Sequence, residues 1–448
     1  MGEKGSVAKK PGRQPAAATP VGKKPARVQR VLILVADSGL GHRSAAKALA
    51  VALQELYGES CVTTTLNPLT EDRAPAPLRS GQFDYDRLVR EMPDVYKLGY
   101  EASDAAVPSA MIDGALALML FDLMRYVVQR EKPDVIVATH PMYLSALGAV
   151  FAVTQQPIPL VTVITDLATV HRVWFNPSAD LYLAPTQAVY DLALEYGLPE
   201  QKVKITGLPV DPHLAQTSIL PAALRAELDW RPDLTTVLAV GGKRVAHLSD
   251  VLHVLNHSGL PLQLAVVAGG DDDLYANLKA IDWHVPAYVY NFVENMPTLM
   301  QASDVLLGKA GGLIVTEALA CGRPLVLIDV IPGQETGNAD YVVKGGAGEL
   351  AASPLEVLEI MSHWLMDGGM RLAQRAEHAR RLGRPRAAYE AAELIWAAVR
   401  SPTPPAVAAH PPAPTVLDII RSLPNPGALF AGLTAKGKKK DGPGKGES

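Results

Sequence analysis

Unbroken apolar runs alternate with amphipathic stretches along most of this chain. VLILVA at 31–36 has no polar member, the pattern of a parallel strand buried on both faces. The turn Asp37-Ser38-Gly39-Leu40-Gly41-His42 follows. Ala45, Ala46, Leu49, Leu53 and Leu56 then fall on one helical face, which Gly58 closes. A second strand is predicted over 61–66, a Pro-rich stretch at 67–82 gives no regular element, and helices are predicted at 84–89, 96–103 and 109–130. Strands at 135–139, 161–165 and 181–184 run into His140, Asp166 and Pro185-Thr186. Strands alternating with helices imply parallel βαβ units in a doubly wound sheet, which places His42, His140 and Asp166 at carboxyl ends of strands.

GLPVDP at 207–212 reads as a hinge, after which the alternation restarts. Strands are predicted at 236–240, 263–268, 287–290 and 305–307, with helices at 248–257, 273–280 and 296–303 between them. From 307 to 341 the pattern is strand end, glycine turn (Lys309-Ala310-Gly311-Gly312), short helix, buried strand at 324–328, then a polar loop. Helices at 355–364, 369–382 and 387–399 complete the pattern. The fold class expected is therefore α/β: two doubly wound, Rossmann-like domains facing a central cleft. The expected divisions are a flexible basic arm (1–28), a first domain (29–210), a second domain (211–384), a helix bracing the first domain (385–400), and a Pro-rich linker with a basic tail (401–448).

Composition agrees with a large core: 448 residues are 48% hydrophobic and 20% charged. The net charge of −4 is uneven, because residues 1–30 carry +7 and residues 435–448 carry +3, leaving the body at about −14. An acidic body argues against nucleic acid as a partner, whereas basic ends suit an anionic membrane surface as well as simple solubilising tails. An apolar segment at 416–433 directly before the lysines resembles an interfacial anchor interrupted by Pro424 and Pro426. Cys61 and Cys321 fit no metal or redox spacing, no signal peptide is visible, and the apolar run at 115–128 contains Asp122 and Arg125. The expected location is cytoplasmic and peripheral to a membrane.

The candidate chemistry lies at strand ends. Gly39-Leu40-Gly41 is half of a dinucleotide fingerprint, but Ser44 occupies the place of the third glycine, which disfavours a redox domain. His42 stands in the first helical turn, where the positive helix end disfavours imidazolium and keeps a proton-accepting ring; a capping histidine is the plain alternative. Asp166 either shares the base role, orients that ring, or merely caps a turn. Gly311-Gly312 before a helix exposes amides to an anion, and Glu317, Gln334 and Glu335 offer groups for hydroxyls. A diphosphate beside hydroxyls describes a nucleotide sugar. Gly241-Gly242-Lys243-Arg244 ends the first strand of the second domain with two cations for such a diphosphate. Asp271-Asp272-Asp273 opens a helix and reads as capping rather than as a metal clamp.

The run NFVENMPTLMQASDVLLGKAGGLIVTEALACGRPLVLIDVIPGQETGNAD resembles the donor-site signature of monogalactosyldiacylglycerol synthases. DSGLGHRSAAKAL, VYKLGYEAS and VTVITDLATVHRVWF resemble the same family, which is related to the lipid-linked GlcNAc transferase of peptidoglycan synthesis. The resemblance spans about residues 31–398. It implies a GT-B fold, a UDP-hexose donor, inversion at the anomeric carbon, no obligatory metal or cofactor, and a diacylglycerol-type lipid acceptor. By position, His42 of the Gly41-His42 turn would be the base, and Phe292-Val293 would read the uracil edge. Gly311, Gly312 and Thr316 would hold the diphosphate, Glu317 the ribose hydroxyls, and Gln334, Glu335 and Asn338 the sugar. Two departures stand out: Asp211 follows the GLPV hinge where relatives often have arginine, and the GGKRVAH loop is shorter in glycine and serine. Lys243, Arg244 and Lys309 are then the cations left for phosphate. An in-line displacement is the expected reaction. The alternatives are a UDP-GlcNAc 2-epimerase-like enzyme, a non-catalytic UDP-sugar binder, and transfer to another acceptor; sequence does not choose galactose over glucose.

Overall fold

The computed structural model describes residues 27–37, 40–76, 78–79, 102–216, 221–242, 245, 247–333 and 335–400. Most of the predicted arm, the helix expected at 84–89, all but the last two residues of that expected at 96–103, the segment 401–448, and Lys243, Arg244 and Gln334 lie outside the described residues.

The first lobe contains β1 (Gln29–Leu34), α1 (Leu40–Tyr57), β2 (Cys61–Leu66), α2 (Ala106–Glu131), β3 (Val135–Ala138) and α3 (Leu144–Thr154). β4 (Leu160–Val163), β5 (Leu181–Ala184), α4 (Gln187–Glu195) and β6 (Val203–Ile205) complete it. The second lobe begins with α5 (His213–Gln216), α6 (Pro221–Glu227), β7 (Thr235–Val240), α7 (Leu248–Asn256), β8 (Leu262–Val267) and α8 (Asp272–Lys279). It continues with β9 (Ala287–Tyr290), α9 (Met296–Ala302), β10 (Val305–Lys309), α10 (Gly312–Ala320), β11 (Leu325–Asp329), α11 (Thr336–Lys344) and β12 (Gly348–Leu350). Helices α12 (Pro354–Leu365), α13 (Met370–Leu382) and α14 (Ala387–Arg400) end the described chain.

Each lobe has one six-stranded sheet, ordered β2-β1-β3-β4-β5-β6 and β12-β11-β10-β7-β8-β9. Every pairing is parallel, so helices must cover both faces. Accordingly every residue of β3, β4 and β8 is buried, the outcome that their mostly apolar sequences specify, with Thr162 and Gln263 as the buried polar members. On one face of the first sheet α2 and α3 pack; on the other lie α1 and α14. Helix α14 thus returns from the second lobe to the first. Trp396 stacks on Tyr57 with ring centroids 4.1 Å apart, and the Tyr389 hydroxyl donates to the Glu55 carboxylate. Full burial of a side chain such as Ile395 contributes about 1.5–3 kcal/mol, so α14 is held mainly by apolar contact.

The lobes also share core. Ala45 of α1 and Leu167 beyond β4 belong to a cluster otherwise made by the second lobe. The two chain crossings lie together, since a Cβ at Gly207 would stand 2.8 Å from the Arg384 Cβ and 3.0 Å from that of Ala387.

The polar loop expected up to residue 341 is a helix from Thr336 onward. Its buried side consists of Asn338, Ala339 and Val342, so the inward face begins with an amide and has only two apolar members. Periodicity is weak in such a segment. The helix expected at 109–130 extends over 106–131.

Candidate active site

Two helix N-termini meet across the cleft, α1 from the first lobe and α10 from the second. A Cβ at Gly41 would lie 3.9 Å from the Leu313 Cβ. A Cβ at Gly312 would lie 3.0 Å from the carbonyl oxygen of Thr165, tighter than ordinary contact. Glycine at 312 therefore lets the end of α10 approach the strand-end loop after β4.

His42 occupies the first turn of α1, and its Nδ1 lies 2.7 Å from the Thr139 carbonyl oxygen and 3.0 Å from Thr165 Oγ1. A carbonyl only accepts, so Nδ1 carries the proton and Nε2 keeps its lone pair. Burial lowers the His42 pKa to about 4, against a smaller upward pull from the Thr139 carbonyl. The ring is thus neutral and proton-accepting at physiological pH. His140 packs edge-on against it, with centroids 4.8 Å apart and planes at 73°. Met142 N–H donates to His140 Nδ1 at 3.4 Å, so the His140 proton sits on Nε2. Burial, and then His42, hold His140 well below the usual imidazole range.

Asp166 follows β4. Its Oδ2 accepts from the Trp174 indole N–H at 3.1 Å. Burial raises its pKa to about 6; the Trp174 bond opposes this and the charge of Glu335 across the cleft adds to it. The role of orienting the His42 ring falls to Thr139 and Thr165, not to Asp166. Trp174, in a short turn over Arg172–Phe175, lies 6.2 Å from His42 and 6.3 Å from His140 by ring centroids. Sequence reasoning gave Trp174, Thr139 and Thr165 no role. Thr139 acts through its carbonyl, which no residue type signals. The indole was visible within VTVITDLATVHRVWF, yet eight positions from its partner.

In the second lobe Gly311 caps α10 and Gly312 begins it, leaving first-turn amides directed at the cleft. The Thr316 hydroxyl donates back to the Gly312 carbonyl at 2.7 Å. Burial raises the Glu317 pKa to about 7, and the nearby Asp211 charge adds to the rise. Lys309 pairs with Glu335, whose other oxygen accepts from Ile331 N–H at 3.0 Å. Lys309 is therefore neutralised locally, and Glu335, 6% exposed, is fixed at both oxygens. Asn338 donates from Nδ2 to the Ala310 carbonyl at 3.0 Å and accepts from Leu167 N–H at 3.3 Å. Phe292 is 66% exposed beyond the end of β9 and Val293 is half-buried beside it. Asp271 caps α8 by accepting from Leu274 N–H at 3.1 Å, and Asp272 accepts from Asn291 at 2.7 Å. Among the described residues no cluster of three or more His, Cys, Asp or Glu is placed to hold a metal ion.

This arrangement has counterparts. Residues 42–210 match the family described as monogalactosyldiacylglycerol (MGDG) synthase, and residues 240–379 match the glycosyltransferase family 28 C-terminal domain. Monogalactosyldiacylglycerol synthase 2, chloroplastic, of Arabidopsis thaliana is 31% identical over 81% of this chain and 80% of its own length. The chain belongs to the monogalactosyldiacylglycerol synthase family. A probable member from Glycine max is 32% identical over 85% of this chain and 72% of its own length. Among solved structures, MurG of Acinetobacter baumannii aligns with a TM-score of 0.53 at 17% identity, covering 82% of this chain and 99% of that one. UDP-GlcNAc 2-epimerase from Neisseria meningitidis, bound to UDP-GlcNAc, aligns with a TM-score of 0.55 at 15% identity, covering 83% and 100%. Both structural likenesses establish the GT-B fold alone. The two matched family regions make this member of the synthase family a UDP-sugar glycosyltransferase, with His42 at the first residue of the synthase match and α10 inside the glycosyltransferase domain.

Proposed function

We propose that this glycosyltransferase moves a hexose, galactose by the names of its relatives, from UDP to the free hydroxyl of a diacylglycerol-type lipid at a membrane surface. The observation that carries the reading is the neutral His42, with Nε2 free, set across a narrow cleft from the N-terminus of α10. His42 Nε2 takes the acceptor hydroxyl proton as that oxygen attacks the anomeric carbon. The bond from that carbon to the diphosphate breaks on the opposite side, so configuration inverts. The leaving UDP carries the displaced electron pair, and the first-turn amides of Gly312 and its neighbours meet its charge. Glu317 holds the ribose, Glu335 the hexose hydroxyls, and Phe292-Val293 the base. Asp166, close by and partly protonated near neutral pH, holds the incoming hydroxyl.

Helix α2 supports the membrane-surface part. It is 26 residues long, its most apolar 18-residue window has mean hydropathy 1.6, and it is the described helix long and apolar enough to cross a membrane. Yet Val107, Met111, Leu118 and Met119 lie exposed on it, Leu118 by 82%, while α2 packs against the turns that carry His140 and Trp174. An exposed apolar strip beside a cleft suits a lipid surface, into which the acceptor's acyl chains run.

The test is incubation of purified chain with UDP-galactose or UDP-glucose and dioleoylglycerol vesicles, followed by mass and anomer analysis of the lipid product. A β-hexosyl diacylglycerol with equimolar UDP is expected. Interconversion of UDP-sugars without lipid would instead make it an epimerase, and UDP binding without turnover would make it a binder.

A further inference from the structure

The loop after β4 is gripped by the second lobe at alternate residues. Thr165 faces Gly312, and Leu167 N–H donates to Asn338 Oδ1 at 3.3 Å. At the next step a Cβ on Gly337 would stand 2.2 Å from Thr169 Oγ1 and 2.7 Å from Thr169 N, so no side chain fits at 337 without moving the loop. Asn338 is the member of this grip that joins two backbones. Its Nδ2 donates to the Ala310 carbonyl at 3.0 Å, and the residue is only 2% exposed. The orientation of the amide is unambiguous, because the Ala310 carbonyl can only accept and the Leu167 N–H can only donate.

We propose that Asn338 is a positioning residue that couples donor-lobe closure to the acceptor-side base, by tying the Asp166–Leu167 peptide to the Ala310–Gly311 turn. The inference rests on the transferase reading above and departs from the sugar-contact role that position suggests for Asn338. Thr165, on the gripped loop, holds His42 Nδ1, and Asp166 lies between two gripped residues. Release of the loop therefore disturbs the proton-accepting half of the site. Glu317 and the uracil segment, which Asn338 does not touch, stay assembled, and the glycine turn keeps the bond from Ala310 N–H to the Asp329 carbonyl at 2.9 Å. Donor binding and turnover are separated by this wiring: the first survives loss of the tie, the second does not.

Asn338→Ala and Gly337→Ala in the full chain test it, assayed with UDP-galactose and UDP-glucose on dioleoylglycerol vesicles and by calorimetry with UDP. Both variants are expected to lose about tenfold or more in kcat, the size of an abandoned buried hydrogen bond, while UDP Kd stays within about threefold. The ratio of kcat/KM for the two donors is expected to stay within about threefold of the parent, because no sugar contact has been removed. Retained UDP binding also shows that each variant folds. Glycine at 337 has no side chain to read a sugar, so a shared phenotype belongs to the contact between lobes. A changed galactose-to-glucose ratio, a rise confined to donor KM, or unaltered turnover in Asn338→Ala would overturn the assignment. A parent chain that glycosylates no lipid with either donor would overturn the transferase reading itself, and this inference with it.

Discussion

The two sides of the cleft are built on different principles. On the first-lobe side the proposed chemistry rests on side chains, His42 and Asp166, each fixed by partners within its own lobe: Thr139 and Thr165 for the ring, Trp174 for the carboxylate. On the second-lobe side the proposed diphosphate site is mostly backbone, the first-turn amides of α10, with Glu317 and Glu335 proposed for hydroxyls. A proton-accepting ring must present one tautomer with a free lone pair, which a dedicated acceptor on its other nitrogen secures. A diphosphate needs several donors in a curved array, which a helix end supplies without committing a cation. Substitutions on the first side should therefore act on turnover, and those on the second side on donor affinity.

The largest expected effect comes from His42→Ala, which should lower kcat by about 10²- to 10⁴-fold while UDP Kd, read by calorimetry, is unchanged. Weakened UDP binding in that variant would erase the division between the two sides. Glu317→Gln should act in the opposite sense, raising the donor KM by about 10- to 100-fold with kcat at saturation largely kept, the scale of a lost charged hydrogen bond. Glu317 also gives a pH signature. Its folded pKa of about 7 means that the carboxylate is lost as pH falls through neutrality, so parent donor KM should rise from pH 8 to about 6. That rise should be absent in Glu317→Gln. Thr165→Val, nearly isosteric, removes only the hydroxyl beside His42 Nδ1. It should cost about 2- to 10-fold in kcat and nothing in KM, since the Thr139 carbonyl still fixes the tautomer.

The same asymmetry governs what could be read before the fold was known. The central strands of both sheets are legible because burial on two faces makes them mostly apolar runs, whereas the short, half-buried edge strands β6 and β12 leave no such run. Asp166 is legible as a candidate because it directly ends such a run, and His42 because it follows one across a glycine turn into a helix. Glu317 and the glycine turn were legible from a strand-turn-helix pattern. The partners that tune them were not. Thr139 contributes a carbonyl and Trp174 an indole N–H from a separate turn, while Asn338, which the resemblance assigns to the sugar, makes its amide bonds from α11, whose mostly polar sequence conceals a helix. The sequence offers Lys309 as a cation for phosphate, and only the tertiary fold brings Glu335 against it. Such ties join residues far apart in the chain or use atoms common to all residues, so no local pattern records them.

The central claim is that His42, not Asp166, accepts the proton, and their separated pKa values make it measurable. A base works unprotonated, so the rate falls as pH drops through its pKa: about 4 for His42 and about 6 for Asp166. The decisive experiment is kcat against pH for the parent chain and Asp166→Asn on dioleoylglycerol vesicles, with UDP-galactose held saturating so that the Glu317 effect on donor KM drops out. The account requires Asp166→Asn to remain active and to decline only toward pH 4 to 5. An Asp166→Asn chain as inactive as His42→Ala, or a parent decline near pH 6 that disappears in Asp166→Asn, would contradict it and move the base to Asp166.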